Sequence, residues 1–228
     1  MHRATLSLLL AAACLGTAPR LIAQDAPPFP VSAVPARGAG VQAFVPAGWK
    51  AASQVSGDLN GDGQPDRVVH LVPQGTDYDP AGVTAAPESQ ALLILLAESG
   101  GGLRRAGLAT RLLQTVVPQW GLRLTIRRGV LVVNQNYGMT EVADVTHRFR
   151  LEPATGRFLL IGRDQFNYHR PQELSDPVKT SENFLTGERL ITIGHYGAGG
   201  SYRETERRDR IPRTNAYFDD IDEEPETG

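Results

Sequence analysis

Cysteine is almost missing from this chain of 228 residues: Cys14 is the only one. No disulfide can form within it, so its stability must come from burial of apolar surface, which a bound ion can reinforce. Long apolar runs are missing too. The longest lies between Leu6 and Leu15, short of the roughly 18 residues that a membrane-spanning helix needs. An excess of positive charge is also absent. With 23 Lys and Arg against 25 Asp and Glu the formal charge is −2, which leaves no basic footprint for nucleic acid. Sustained helical periodicity is lacking: no segment of twelve residues repeats its apolar positions every three to four. The familiar catalytic signatures are missing as well. Neither a G-x-S-x-G elbow nor an H-E-x-x-H pair occurs, and Gly197-Ala198-Gly199-Gly200-Ser201 lacks the Lys-Ser or Lys-Thr of a phosphate loop.

What is present begins with an export signal. Met-His-Arg precedes the short apolar stretch, and cleavage after Ala23 is expected, making residues 1–23 a signal peptide. Removal of Arg3 and Arg20 moves the charge from −2 to −4. The expected location is periplasmic or secreted. Cys14 after Leu10-Ala11-Ala12-Ala13 leaves an alternative, an outer-membrane lipoprotein anchored through that cysteine. Residues 24–40, with Pro27, Pro28, Pro30 and Pro35, read as a flexible leader.

The interior reads as strands. Val41 to Pro46 suggests a first short one, and Trp49 a hydrophobic cap. Arg67 to Val72 and Gln90 to Ala97 follow, with Leu103 to Leu108 after them. Leu122 to Arg127 alternates strictly, as does Val145-Thr146-His147-Arg148-Phe149-Arg150-Leu151, the period of a half-buried strand. Thr-Gly turns at 155–156 and 186–187 mark hairpins. Residues 41–215 are therefore expected to form a single all-β domain, an antiparallel meander of about nine strands. A sandwich, an open barrel or two propeller-like blades would accommodate it. A closed propeller needs at least four four-stranded blades and is excluded by strand number. The end of the chain is expected to be disordered: residues 203–213 hold five arginines against three acids, and residues 216–228 form an acidic tail.

One stretch carries chemistry. Asp58-Leu59-Asn60-Gly61-Asp62-Gly63-Gln64-Pro65-Asp66 places oxygen side chains at Asp58, Asn60, Asp62 and Asp66, with glycines where a tight loop turns. Ca²⁺ takes six to eight oxygen ligands, and such a loop can aim alternate side chains at one ion. Asp58, Asn60, Asp62 and Asp66, with the Gln64 carbonyl, are the candidate metal ligands. An EF-hand would need a closing Glu at its twelfth position, where this chain has Val69. The form D-x-N-x-D-G-x-x-D running into a strand instead resembles the calcium loops of FG-GAP and VCBS repeats. That resemblance covers about residues 57–108 and includes Ala91 to Leu96 and the turn Ser99-Gly100-Gly101-Gly102. It implies a structural calcium site next to a sheet.

A wider arrangement resembles a group of small secreted bacterial proteins that brings no reaction with it. It is carried by Phe44-Val45-Pro46-Ala47-Gly48-Trp49-Lys50, the loop itself, Val145 to Arg150 and Phe158 to Gly162. Tyr137-Gly138-Met139-Thr140-Glu141-Val142 departs from the tryptophan-rich stretch of that group.

Other candidates are weaker. Glu141, Asp144, Glu152 and Asp164 are acids near strands. Asp164-Gln165-Phe166-Asn167-Tyr168-His169-Arg170 is the densest polar-aromatic cluster outside the loop and reads as an exposed loop with a few anchoring aromatics, binding of a sugar or peptide being the alternative. No catalytic residue can be named. The first expectation is thus an exported, non-enzymatic β-domain with one calcium, binding a protein partner or surface glycan. The alternative is a hydrolase acting on cell-wall or extracellular polymer.

Overall fold

A computed structural model describes residues 28–77, 87, 89–114, 119–171, 175–213 and 215–222. The expected signal peptide, residues 24–27 of the expected leader and the expected tail beyond 222 lie outside these residues. The strands are β1 (Arg37–Gly38), β2 (Trp49–Gly57), β3 (Asp66–Pro73), β4 (Ala91–Ala97), β5 (Leu103–Ala109) and β6 (Gln119–Arg127). They continue as β7 (Val130–Gly138), β8 (Glu141–Glu152), β9 (Arg157–His169), β10 (Val178–Asn183), β11 (Glu188–Tyr196) and β12 (Tyr202–Arg210).

All pair antiparallel, in two sheets that do not close into a barrel. One is five-stranded in the order β1-β5-β4-β3-β2, the other seven-stranded in the order β12-β11-β10-β9-β8-β7-β6. The all-β expectation holds: two packed sheets are among the arrangements it allowed, with twelve strands among the described residues where about nine were expected.

β3 and β4 explain the layering. Val68, Val69, His70, Leu71 and Val72 are consecutively buried, as are Ala91 through Leu96. A strand buried at every position must have cover on both faces of its sheet. On one face Val68, Leu92, Ile94 and Leu96 meet Leu131, Val133, Phe149, Phe158 and Leu160 of the larger sheet. On the other, Val69, Leu71, Leu93 and Leu95 meet Phe29, Val34, Phe44 and Trp49. Phe29 and Trp49 stack edge to face with centroids 4.6 Å apart.

Three expectations need correction here. From Pro28 onward the supposed flexible leader is a packed lid: Phe29 and Val34 are buried, and β1 pairs with β5. Prolines in it limit backbone freedom, while its few large apolar side chains find uncovered sheet. Residues 41–44 form a 3₁₀ turn, not a strand. The end of the chain is not disordered as far as residue 222. β12 pairs along its full length with β11, because a backbone ladder needs no apolar side chains of its own. Beyond it Phe218 is wholly buried, its ring edge-on to Phe149 at 5.2 Å. Gly107 lies under it, where a Cβ would stand 2.9 Å from the Phe218 ring. Asp219 accepts a 2.6 Å hydrogen bond from the Leu108 amide, and Asp220 pairs with Arg157 at 2.8 Å. The acids of this segment are thus matched to donors that a charge count does not show.

A polar chain runs beside the inter-sheet core. His70 Nε2 bonds Gln90 Oε1 at 2.8 Å, and Gln90 donates to the Gln114 carbonyl at 2.8 Å. Gln135 accepts from the Gln114 amide at 3.0 Å and donates to the Leu112 carbonyl at 3.0 Å. Each amide side chain here ties an irregular segment to a strand, satisfying polar groups that would otherwise be costly to bury.

Burial pushes the His70 pKa down to about 4, against the opposing effect of its bond to Gln90. The unfolded chain takes up that proton near the ordinary value of 6.5, so stability is complete above 6.5 and is lost as pH falls from there toward 4. The loss should reach about 3 kcal/mol. Urea denaturation across this range measures it, and His70→Gln should flatten that part of the profile.

Candidate functional site

Loop 58–66 sits between β2 and β3, whose antiparallel pairing ends at Gly57 opposite Asp66. The chain turns through left-handed backbone at Gly61 and Gly63, with φ of +82° and +79°, conformations that glycine adopts without steric penalty. Asp58 organises the loop. Its Oδ1 accepts from the amides of Asn60 and Gly61 at 3.2 and 2.7 Å, and its Oδ2 from Gly63 at 3.0 Å. The Gly63 and Gly61 amides hold its carboxyl below the usual range. Asn60 Oδ1 accepts from the Asp62 amide at 3.0 Å, and Asp62 Oδ1 from Gln64 at 2.7 Å.

Asp66 differs. It is fully buried, and its oxygens accept from the Leu59 amide at 2.7 Å and the Ala97 amide at 2.8 Å. It therefore ties the loop to the end of β4. Burial raises its pKa, and the nearby charges of Asp62 and Asp58 add to that rise. Among the described residues, no three His, Cys, Asp or Glu side chains are gathered closely enough to hold a metal ion. The donor set nonetheless suits calcium in chemistry. It is all oxygen, it carries three carboxylates, and their mutual repulsion is what a divalent cation relieves.

A second site was only partly legible in sequence. Residues 164–170, read as a loop, are mostly strand: β9 runs to His169. Strand alternation therefore puts Asp164, Phe166 and Tyr168 on one face and Gln165 and Asn167 on the other. In the ladder, Asp144, Phe166, Lys179, Thr192 and Glu206 lie side by side across five strands. Thr146, Asp164, Ser181 and Leu190 form the next row. These rows line a cavity of about 680 Å³ on the open face of the seven-stranded sheet. A hollow of about 450 Å³, bordered by Ser181, Glu188 and Arg208, adjoins it.

The polar groups here are fixed by one another. Asn134 and Asn136 donate to Asp144 at 2.6 and 3.3 Å. Arg148 reaches Asp164 Oδ2 at 2.5 Å, and Ser181 donates to Asp164 Oδ1 at 2.7 Å. Burial pushes the Asp164 carboxyl up, but Arg148 and Ser181 together outweigh it and hold the pKa below the usual value. Above this floor stand aromatic side chains. Phe166 is 37% exposed and Tyr202 50%, and Phe166 stacks on Tyr168 at 5.1 Å. Tyr202 lies over Gly194, the small residue that gives its ring room.

Of the acids singled out in sequence, Asp144 and Asp164 share this face. Glu152 is instead engaged by the Tyr217 hydroxyl at 2.9 Å, and Glu141 stands 3.7 Å from His169. His147 is buried beside Phe149, two residues along on the same face of β8. The glycine-rich stretch 197–201 is the β11–β12 turn, closed by the Gly197 amide on the Ser201 carbonyl at 2.8 Å. Sequence reasoning missed one contact altogether. Asp176, His195 and Thr205 meet on the opposite face of the β10–β12 region; no spacing between them signals this.

No protein-family model matches the chain, and no curated protein and no solved structure matches it. The likeness to FG-GAP and VCBS repeats thus rests on the loop residues and the strands that follow them.

The different bonding of Asp66 and Asp62 has a measurable consequence. With chelator present, Asp66→Ala should lose about 2–4 kcal/mol of stability, because two amides lose their acceptor. Asp62→Ala, in the exposed part of the loop, should lose less than about 1 kcal/mol. Urea denaturation of both variants makes the comparison; equal losses would contradict the assignment of Asp66 as the tie between loop and sheet.

Proposed function

We propose that this protein is an exported β-domain that binds a surface glycan on the open face of its seven-stranded sheet, with calcium in loop 58–66 as a scaffold. One observation carries the reading: exposed Phe166 and Tyr202, with Leu190 and Pro177, give apolar surface to a cavity whose other side chains mostly form hydrogen bonds. Sugar rings offer apolar C–H faces and a rim of hydroxyls. An aromatic ring packs on the first, and fixed carboxylates, amides and hydroxyls hold the second. Asp144, Asp164, Lys179, Ser181 and Thr192 supply the polar side. Several are already held by neighbours, which limits the ordering cost on binding.

The carboxylate pair favours binding over glycoside hydrolysis. A hydrolase of that kind needs one carboxyl with a raised pKa as general acid. Asp164 is held below the usual range by Arg148 and Ser181, and both oxygens of Asp144 accept from asparagines. Export is supported by the apolar segment Leu6 to Leu15 with Arg3 before it.

In the calcium part of the reading, Asp58, Asn60, Asp62 and Asp66, with the Gln64 carbonyl, would hold the ion. Bound calcium supplies positive charge to a loop that carries three carboxylates. Those residues orient the loop, and Asp66 joins it to β4.

Two measurements test the two parts separately. Calcium at tenfold its dissociation constant adds about 1.4 kcal/mol, so the melting temperature should rise by about 3–6 °C and fall again with chelator. Mg²⁺ should do less, Asp62→Ala should abolish the response, and Asp77→Ala should preserve it. No calcium binding by calorimetry at millimolar concentration would sink the metal reading. For the glycan, an array followed by calorimetry should find a ligand, and Phe166→Ala should weaken it by about tenfold or more. Absence of any glycan binding, or affinity indifferent to Phe166, would overturn it.

A further inference from the structure

Strands β10, β11 and β12 contribute no residue to either apolar cluster, so the face opposite the cavity is also open to solvent. On that face three residues from separate segments meet. Asp176 precedes β10, His195 lies near the end of β11, and Thr205 is in the middle of β12. His195 Nδ1 is 2.7 Å from Asp176 Oδ2, and His195 Nε2 is 3.0 Å from Thr205 Oγ1. Asp176 Oδ1 is also within 3.4 Å of the Tyr196 amide, which fixes the carboxylate against the strand.

The tautomer follows from the partners. An ionised carboxylate only accepts, so Nδ1 carries the proton toward Asp176, and Nε2 is left as the acceptor for the Thr205 hydroxyl. That is the order acid, imidazole, hydroxyl, with both distances in the range of a working nucleophile and base. In the ladder Thr205 pairs with Ile193 and Arg203 with His195. Arg203 and Arg207 lie two residues to either side of Thr205, on its face of the strand, and bring positive charge near the hydroxyl.

The geometry points to a hydrolytic centre in which Thr205 is the nucleophile, His195 the general base and Asp176 the residue that orients His195, acting on short-chain carboxylic esters. As Thr205 Oγ1 attacks the carbonyl carbon, its proton passes to His195 Nε2, and the carbonyl electron pair moves to oxygen, facing Arg203. Collapse of that oxyanion breaks the bond to the leaving alkoxide, which takes the proton back from His195. The acyl group is then on Thr205. Water, deprotonated by His195, attacks it and releases the carboxylic acid and the free hydroxyl. No reductant, oxidant or metal enters the balance. The side chains of His195 and Asp176 are 32% and 46% exposed. So open a surface gives a long acyl chain nothing to pack on, and favours a small acyl group projecting from a large molecule. This centre is on the other side of the sheet from the glycan cavity, so neither depends on the other.

The test uses the full exported chain and p-nitrophenyl acetate. Wild type should turn it over, and Thr205→Val, which keeps the side-chain shape, should lose about a hundredfold or more. His195→Gln should lose as much and Asp176→Asn about tenfold or more. Acid-quenched protein should carry an acetyl group on the peptide containing Thr205. An exposed imidazole alone also cleaves activated esters, so the Thr205→Val variant decides the matter. Unchanged turnover in that variant, acetyl found only on other residues, or no turnover in wild type would each overturn the proposal. Glycan binding should be the same in Thr205→Val and His195→Gln.

Discussion

The burial of β3 and β4 on both faces is the constraint from which the architecture follows. Eleven consecutive-type positions such as Val68 to Val72 and Ala91 to Leu96 carry almost no polar side chain between them. At roughly 25 cal/mol per Å² of apolar surface, leaving either face wet would forfeit several kilocalories per mole. The seven-stranded sheet covers one face, and the segment from Phe29 to Trp49 covers the other. What looks in sequence like a leader is therefore a third layer of the core. Proline suits it, because Pro28, Pro30 and Pro35 lie outside β1, where no ladder asks for an amide donor.

Cover of that kind is limited in extent, and the second candidate site lies where it stops. The larger sheet is wider than the smaller one, and its strands β10 to β12 carry the meander beyond the apolar contact. Both of their faces meet water. A β-sheet so placed is a display surface: its ladder fixes the backbone, and alternation assigns each side chain to one face. Phe166, Lys179 and Thr192 are presented on one side, His195 and Thr205 on the other. The edge strand β12 is the most charged of all, and mixed charges along an open edge discourage the indiscriminate strand pairing that a bare apolar edge would invite.

Two buried polar groups hold the irregular parts to this frame. Asp66 joins loop 58–66 to β4, and the His70–Gln90–Gln114–Gln135 chain joins residues 90 and 112–114 to β3 and β7. Both are buried at a cost in charge or proton affinity, visible as the raised carboxyl of Asp66 and the depressed imidazole of His70. The loop is thereby placed rigidly, while its outer carboxylates, Asp58 and Asp62, stay at the surface.

Features that depend on near neighbours can be read from the order of residues alone. Strict alternation at 122–127 and 145–151 identified strands because the pleat turns successive side chains to opposite faces. Thr-Gly turns at 155–156 and 186–187 marked hairpins because glycine tolerates the left-handed backbone there. The oxygen-rich loop was visible because Asp58, Asn60 and Asp62 accept from amides two to five residues away, whereas the tie from Asp66 to Ala97 was not. Composition misjudged residues 28–40 and 203–222, since packing of a few side chains such as Phe29 and Phe218, or pairing with a neighbouring strand, outweighs an average. The position of Asp164 to His169 in a strand was hidden, because polar and aromatic residues alternate there as they also do in loops. Which distant residues meet depends on the folded arrangement of the strands. Asp144 and Phe166 are neighbours through ladder register, and Asp176, His195 and Thr205 through the pairing of β10, β11 and β12. Register is set by the whole sheet, and no local spacing encodes it.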